Sequence, residues 1–173
     1  MKKWCEPAKR GRQFLNKAAL IKKIIASLDG ELALFAKSAR AAHEEATHEQ
    51  SRAENKYDTR GLEASYLAHG QSRQAAETMQ AKAEYQSLTP RAFTPEDGID
   101  LSAVVELEGP HGAAIYFIGP RAGGTEIVHQ KKTLLVMTPQ SPLGSALLGR
   151  KQGERLIIEI GGSRNEYRVA SVA

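Results

Sequence analysis

Ten apolar positions, Phe14, Ala18, Ile21, Ile25, Leu28, Leu32, Phe35, Ala39, Ala42 and Ala46, follow one another in strictly alternating steps of four and three. Such spacing places all ten on one stripe of an α-helix, and a stripe of that length needs a second helix to cover it, as in a coiled coil. Gly30 falls off the stripe and costs about 1 kcal/mol of helix propensity relative to Ala, too little to interrupt it. A second helical pattern runs from the low fifties to about Leu88, with no proline before Pro90. Its seam is made of small groups, Gly61, Ala64, Ala68 and Ala75, with Met79. Large side chains facing small ones predict an antiparallel helical hairpin within one chain.

The reversal is expected at residues 47 to 53. The seam ends at Ala46, because its next positions are Glu49 and Ala53, and Ser51 stands three residues before Glu54, the spacing of a capping box that opens a helix. Arms of about 33 and 37 residues would each be about 50 Å long at the helical rise.

Beyond residue 88 the composition changes. This half holds 11 of the 15 glycines and 6 of the 7 prolines. After the Pro-bearing stretch "LTPRAFTPEDGIDL" the apolar period becomes two, and "SAVVELE", "AAIYFIG", "TEIVH", "TLLVMT", "RLIIEI" and "YRVASV" read as strands separated by Gly- and Pro-rich turns. "SPLGSALLG" is a short helix, with Ser141 as N-cap, Pro142 in the first helical position and Gly149 past its end. The expected fold is therefore α+β: a basic extension over 1–13, a coiled-coil hairpin over 14–88, a linker over 89–100, and over 101–173 a strongly bent antiparallel sheet with one short helix.

The formal net charge is +4, but its distribution says more: residues 1–40 carry ten Lys or Arg against three acids, and residues 41–58 carry two against five. A basic end of this kind suits phosphates or an acidic protein surface, and it equally suits a solvated helix. Cys5, the single cysteine, can form no intramolecular disulfide, and "AALIKKIIASL" is broken by Lys22 and Lys23. The expectation is a cytoplasmic monomer without a membrane segment. His43, His48, His69, His111 and His129 show no zinc-ligand spacing and read as surface residues.

The stretch "VELEGPHGAAIYFIGP" and above all "SPLGSALLGRKQGE", with the closing "EYRV" strand, resembles the C-terminal signature of the Gre family of bacterial transcription elongation factors. The resemblance covers about residues 100 to 173, and the hairpin by architecture. It implies an FKBP-like C-terminal domain that docks on RNA polymerase, with Ser141, Pro142, Leu143 and Gly144 as docking candidates. It also implies a coiled coil that enters the polymerase's secondary channel, where tip carboxylates help hold Mg²⁺ while the polymerase itself cuts backtracked RNA. The chain would then be no enzyme of its own. It would hold no tight cofactor, share Mg²⁺ with its partner, and meet nascent RNA or DNA only through the polymerase.

The family tip reads roughly Gly-Asp-Leu-Ser-Glu-Asn-Ala-Glu-Tyr, whereas "EQSRAENKY" keeps Glu54, Asn55 and Tyr57 and is one residue shorter. In the register that aligns Glu54, Ser51 stands where the family has its Asp. Glu54, Asp58 and Glu49 are the candidate metal-positioning acids, Glu54 and Asp58 sharing a helix face at the i, i+4 spacing. Asn55, Tyr57, Arg52 and Lys56 are candidate tip contacts. Two other readings stand beside cleavage stimulation: a non-cleaving occupant of the channel, and a peptidyl-prolyl isomerase. The second is disfavoured, because the C-terminal half offers only Phe93, Tyr116, Phe117 and Tyr167 to line a pocket, two of them adjacent on one strand. The regulator of nucleoside diphosphate kinase shares this C-terminal domain but has a much shorter coil.

Overall fold

A computed structural model of the chain describes residues 16–47, 60–110, 112–160 and 162–173. The proposed tip, the extension over 1–13 and His111 lie outside the described residues. In chain order the elements are α1 (Lys17–Thr47), α2 (Arg60–Ser87), β1 (Val104–Gly109), β2 (Gly112–Ile118), β3 (Glu126–His129), β4 (Lys132–Met137), α3 (Pro142–Leu147), β5 (Arg155–Ile160) and β6 (Ser163–Val172). All six strands and the short helix lie where the period of two and the cap residues place them.

α1 begins at an Asn cap: the Asn16 side-chain oxygen accepts from the Ala19 amide at 3.0 Å, satisfying one of the first-turn donors. Along α1 the four-three stripe is inward-facing only in its middle. Ile21 and Leu28 are buried and Ile25, Leu32 and Phe35 half-buried, while Ala18, Ala39 and Ala42 are exposed. Leu20 and Ile24, which lie off the stripe, are fully buried. The base of α1 thus carries a wider apolar face than a coiled-coil seam, because it is covered by α2 on one flank and by the sheet on the other.

α2 runs antiparallel to α1: the Lys82 ammonium meets the Asp29 carboxylate at 2.6 Å, and Leu28 and Phe35 line the same groove as Ala81, Thr78 and Gln74. Its inner face differs from the small-residue seam expected of it. Ala68 and Met79 are exposed, the side chains at Gly61 and Ala64 lie outside the described residues, and the inward positions of the described part are Gln71, Ala75, Thr78, Ala81, Lys82, Glu84 and Tyr85. Only Ala75 belongs to both sets. A face carrying Gln, Thr and Lys escapes a search for apolar periodicity, although its aliphatic stems pack as well as Ala does.

The six strands form one sheet in the order β3-β4-β2-β1-β6-β5. It is mixed, not the wholly antiparallel sheet expected: β2 and β4 pair in parallel, from Ile115 opposite Leu134 to Ile118 opposite Met137. The cause is the tight β3–β4 hairpin. His129 pairs with Lys132, and the two loop residues Gln130 and Lys131 have φ of 50° and 62°, the left-handed pair of a type I′ turn. The chain leaves β2, runs back along the edge as β3, turns, and re-enters between β3 and β2 in the direction of β2. β1 joins β2 and β6 antiparallel, with an irregularity between Glu106 and Leu107.

Alternate strand residues feed two cores on opposite faces. Val104, Phe117, Ile127, Leu134 and Val136 cluster with Leu20, Ile21, Ile24, Leu28, Ala81 and Tyr85 from the helix bases. Val105, Leu107, Ile118, Met137, Leu156, Ile158 and Val169 cluster with Leu147 of α3 and with Phe93 and Ile99. Those last two residues lie in the segment read as a linker, so this stretch is anchored in the second core.

The joint between α2 and the sheet is close. Tyr85 is fully buried, its hydroxyl donates to the Arg121 carbonyl at 2.8 Å, and the Arg121 guanidinium meets Glu84 at 2.6 Å. A Cβ on Gly119 would lie 2.0 Å from the Tyr85 hydroxyl oxygen. Burial, with Glu84 beside it, raises the Tyr85 pKa, so the phenol remains a donor throughout the working pH range.

His129 corrects the reading of the histidines. His43 and His69 are exposed, but His129 is only 5 % exposed, on the inward side of edge strand β3, and neither ring nitrogen has a hydrogen-bond partner. Lys23 of α1 passes beside it to donate to the Val128 carbonyl at 2.7 Å. Burial, and then the Lys23 charge, lower the His129 pKa.

Gly119→Ala is expected to cost about 2 kcal/mol or more by overpacking, and Tyr85→Phe about 1 kcal/mol for the lost hydrogen bond. In a double-mutant cycle followed by chemical denaturation, Gly119→Ala costs less in the Tyr85→Phe background, because the atom it strikes is gone. His129 gives a second expectation. With its folded pKa below the unfolded value of about 6.5, the unfolded chain takes up a proton the folded chain resists, so stability falls as pH drops from 7 towards 5. Thermal midpoints across that range should fall less steeply in His129→Gln.

Candidate functional site

The segment between β4 and β5 is the part of the molecule whose local chemistry is most fully specified. Ser141 occupies the N-cap of α3 with extended backbone; its hydroxyl accepts from the Gly144 amide at 3.0 Å and donates to the Thr138 carbonyl at 2.8 Å. Pro142 follows at the helix start, where a missing N–H costs nothing. The helix closes at Leu148, whose amide donates to the Gly144 carbonyl, and Gly149 follows at φ 76°.

Of the four candidate docking residues, the structure buries or engages three. Gly144 is buried so tightly that a Cβ there would lie 2.0 Å from the Thr138 carbonyl oxygen and 2.7 Å from the Ser141 hydroxyl. Leu143 packs against the second core, and Ser141 is taken up by its cap. Pro142 alone of the four is exposed.

The chain after α3 is stitched to the stretch before β1. The Gly149 amide donates to the Ile99 carbonyl and the Ile99 amide to the Arg150 carbonyl, each at 2.8 Å. Two large apolar residues flank this joint and remain more than a third exposed: Leu101 at 37 % and Leu148 at 38 %. Neither was singled out from the sequence, since one apolar residue in an amphipathic stretch reads as core. Beside them the Arg150 guanidinium meets Glu154 at 3.1 Å, and Glu154 also accepts from the Lys151 amide at 3.1 Å. The Arg150 hydrogen bond first, then that from the Lys151 amide, holds the Glu154 carboxyl below the ordinary carboxylate range. Pro142, Leu148 and Leu101 are the exposed apolar residues around this joint, and Lys151 is an exposed cation close by in sequence.

The helices contribute a different surface. From Ala36 to Glu44 on α1 and from Tyr66 to Gly70 on α2, every described side chain is exposed, so both helices run on past the last residues that the cores bury. At their base an open groove of about 430 Å³ lies between α1, α2 and the loop before β3, with Leu28 and Phe35 as apolar lining and Glu31, Glu77 and Arg121 as charged lining. Glu49, Arg52, Glu54, Asn55, Lys56, Tyr57 and Asp58 all fall outside the described residues. Among the described residues no group of three or more His, Cys, Asp or Glu is placed to hold a metal ion, and no helix is long and apolar enough to cross a membrane.

The aromatic residues of the C-terminal half are spent on the cores. Phe117 is fully buried under the helix bases, Phe93 lies in the opposite core, and Tyr116 and Tyr167 pack against that second core.

No family model and no curated protein matches the sequence. Among solved structures, the chain is similar to the transcription factor Gfh1, at 22 % identity and a TM-score of 0.36 over 88 % of this chain and 92 % of that one. It is similar to Gfh1 of Thermus aquaticus at 21 % identity and a TM-score of 0.37, over 90 % and 93 % of the two chains. A third similar structure is the prokaryotic transcription elongation factor GreA/GreB from Nitrosomonas europaea, at 19 % identity and a TM-score of 0.34, over 55 % of this chain and 78 % of that one.

Gly144→Ala is expected to disrupt α3, costing about 2 kcal/mol or more because its neighbours are backbone and cannot yield. Ser141→Ala removes the cap and should cost about 1 kcal/mol. Chemical denaturation of the two variants measures both, and the larger loss is expected for Gly144→Ala.

Proposed function

We propose that the chain is a Gre-like transcription elongation factor that binds RNA polymerase, reaching the secondary channel with its helical pair as an antiparallel coiled coil and docking with an FKBP-like C-terminal domain. The observation that carries this reading is the conjunction of two features in one short chain. One is the segment "SPLGSALLGRKQGE", folded as a capped short helix with Pro142 and Leu148 exposed and joined to the stretch that carries exposed Leu101. The other is a pair of antiparallel helices that continue past the sheet with every described side chain exposed. Exposed apolar residues with charged residues close by in sequence suit a protein partner. A helical arm with no core of its own at the far end suits insertion into a cavity on that partner.

At the end of the arm, carboxylates of the Glu54, Asp58 and Glu49 type are hard oxygen donors such as Mg²⁺ takes. In the polymerase complex that metal would supply Lewis-acid stabilisation of a phosphodiester displacement. The role of this chain is to bind and orient: the docked C-terminal domain fixes the base of the arm, and the arm sets the depth of its tip. Ser51 in place of the family's Asp, with Arg52 and Lys56 nearby, favours binding over cleavage stimulation. Occupation of the channel without cleavage is the second reading.

Two measurements test this proposal. Leu148→Glu and Leu101→Glu place charge on exposed positions, and each should weaken binding to core RNA polymerase at least about tenfold with an unchanged thermal midpoint; unchanged binding refutes the docking surface. Added to a backtracked elongation complex, the protein should either shorten the RNA, with Glu54→Ala reducing the effect, or inhibit cleavage stimulated by an authentic Gre factor. Neither effect at saturating protein refutes the proposal.

A further inference from the structure

The two edges of the sheet are finished differently. β3 is short, and its Val128 carbonyl accepts from the Lys23 ammonium at 2.7 Å, so α1 closes that edge. β5, at the other end of the sheet, is bonded to β6 alone. Successive residues of an antiparallel strand alternate between exchanging hydrogen bonds with the partner and pointing them away from it. The Val169 amide donates to the Glu154 carbonyl, which makes Glu154 an inward member of the ladder and, by alternation, Leu156 and Ile158 as well. The amide and carbonyl groups of Arg155, Ile157 and Glu159 therefore point outward along the edge, and no hydrogen bond to them is made among the described residues. Neither a proline nor a bulge interrupts "RLIIEI", and its two charges are of opposite sign, so the usual devices that keep an edge from pairing with a second chain are absent from this strand.

We propose that β5 is a self-association edge: two copies of this chain pair β5 to β5, antiparallel, about a two-fold axis at Ile157, in place of the monomer expected from the sequence. In this register Ile157 faces Ile157 of the second copy, and Arg155 faces Glu159 of the second copy, twice by symmetry. All three outward residues of each copy are then paired, with about six main-chain hydrogen bonds across the axis. Moving the axis by one residue in either direction leaves one outward residue of each strand unmatched and sets Ile157 against a charge.

The side chains agree with the backbone. Leu156 and Ile158 enter the second core, so Arg155, Ile157 and Glu159 share the opposite face of the sheet, where all three are exposed and Ile157 keeps 54 % of its surface in water. Pairing covers that apolar surface with its own copy. Arg155 meets Glu166 of β6 at 3.2 Å in a well-solvated pair, while Glu159 forms no ion pair among the described residues and is free to meet a guanidinium across the axis. A peptide of any sequence could satisfy the outward main-chain groups. The Arg-x-Ile-x-Glu spacing is what selects a second copy, since its reversal supplies both the opposite charge and the matching apolar residue. A six-residue edge is small beside the interface of a permanent dimer, so the association is weak and depends on concentration.

Sedimentation velocity of the full chain from about 1 μM to about 500 μM is expected to show a saturable monomer–dimer equilibrium. Arg155→Glu and Glu159→Arg each turn both symmetry-related pairs repulsive, and each should weaken dimerisation about tenfold. Mixed one to one, the two variants should form a heterodimer at least as tight as the parent dimer, because every pair across its axis again joins unlike charges. Ile157→Pro removes an outward amide that has no partner within its own chain and should leave the protein monomeric throughout. Thermal midpoints show whether that variant keeps its fold, and the charge variants decide the matter if it does not. A parent that stays monomeric at the highest concentration overturns the proposal, as does growth beyond a dimer. So does a mixture of the charge variants that associates no more tightly than either variant alone.

Discussion

The contact between Tyr85 and the backbone at Gly119 and Arg121 fixes how the two halves of the chain meet. A phenol with no exposed surface, donating to a loop carbonyl and leaving room for no side chain at residue 119, admits one seating of α2 on the sheet. Once α2 is seated, α1 follows. Its stripe must meet the inner face of α2, while Leu20 and Ile24 fill the same sheet face. The Glu84–Arg121 pair borders the joint and is partly solvated, so it contributes less to stability than the buried ring does.

From this seating follows the division of labour along the helices. Their first turns away from the sheet are core, and their far ends are exposed on all described positions. An amphipathic helix holds its place by what its apolar face covers, and the stripe beyond Phe35 consists only of alanines, Ala39, Ala42 and Ala46 in the sequence, a side chain that buries little area even where a partner is present. Rigidity in the outer arm therefore depends on helix propensity and on the seated base. A lever of that kind suits a protein that carries its contacts at a distance from its core.

Much of the C-terminal half was legible because its signals are local. The caps of α3 require only Ser141, Pro142 and Gly149 at fixed offsets, and strand period needs only neighbouring residues. The need for glycine at residue 144 was not legible, because the atom a Cβ would strike is the carbonyl of Thr138, brought there by the turn that ends β4. Leu101 and Leu148 were missed for a related reason. Whether an apolar residue is core or surface depends on which strand lies across from it, and the joint that displays them is made between residues 99 and 150. The tip acids and their neighbours, from Glu49 to Asp58, belong to the sequence reading alone.

The sequence by itself determined that this chain has two long helices followed by six strands and a short capped helix, because periodicity and capping are properties of residues a few positions apart. Only the tertiary structure decided that β4 runs parallel to β2, that Gln71, Thr78 and Lys82 share the inner face of α2 with Ala81 and Tyr85, and that His129 is buried. Strand order comes from which edges remain open after the β3–β4 hairpin closes, and the inner face of α2 comes from its seating by Tyr85. His129 is inside because the pleat that buries Ile127 carries every second residue of β3 to the same side. The first two are consequences of long-range contact, to which local patterning is blind; for His129 the pleat is local, and only the covering of its side of β3 by α1 is long-range.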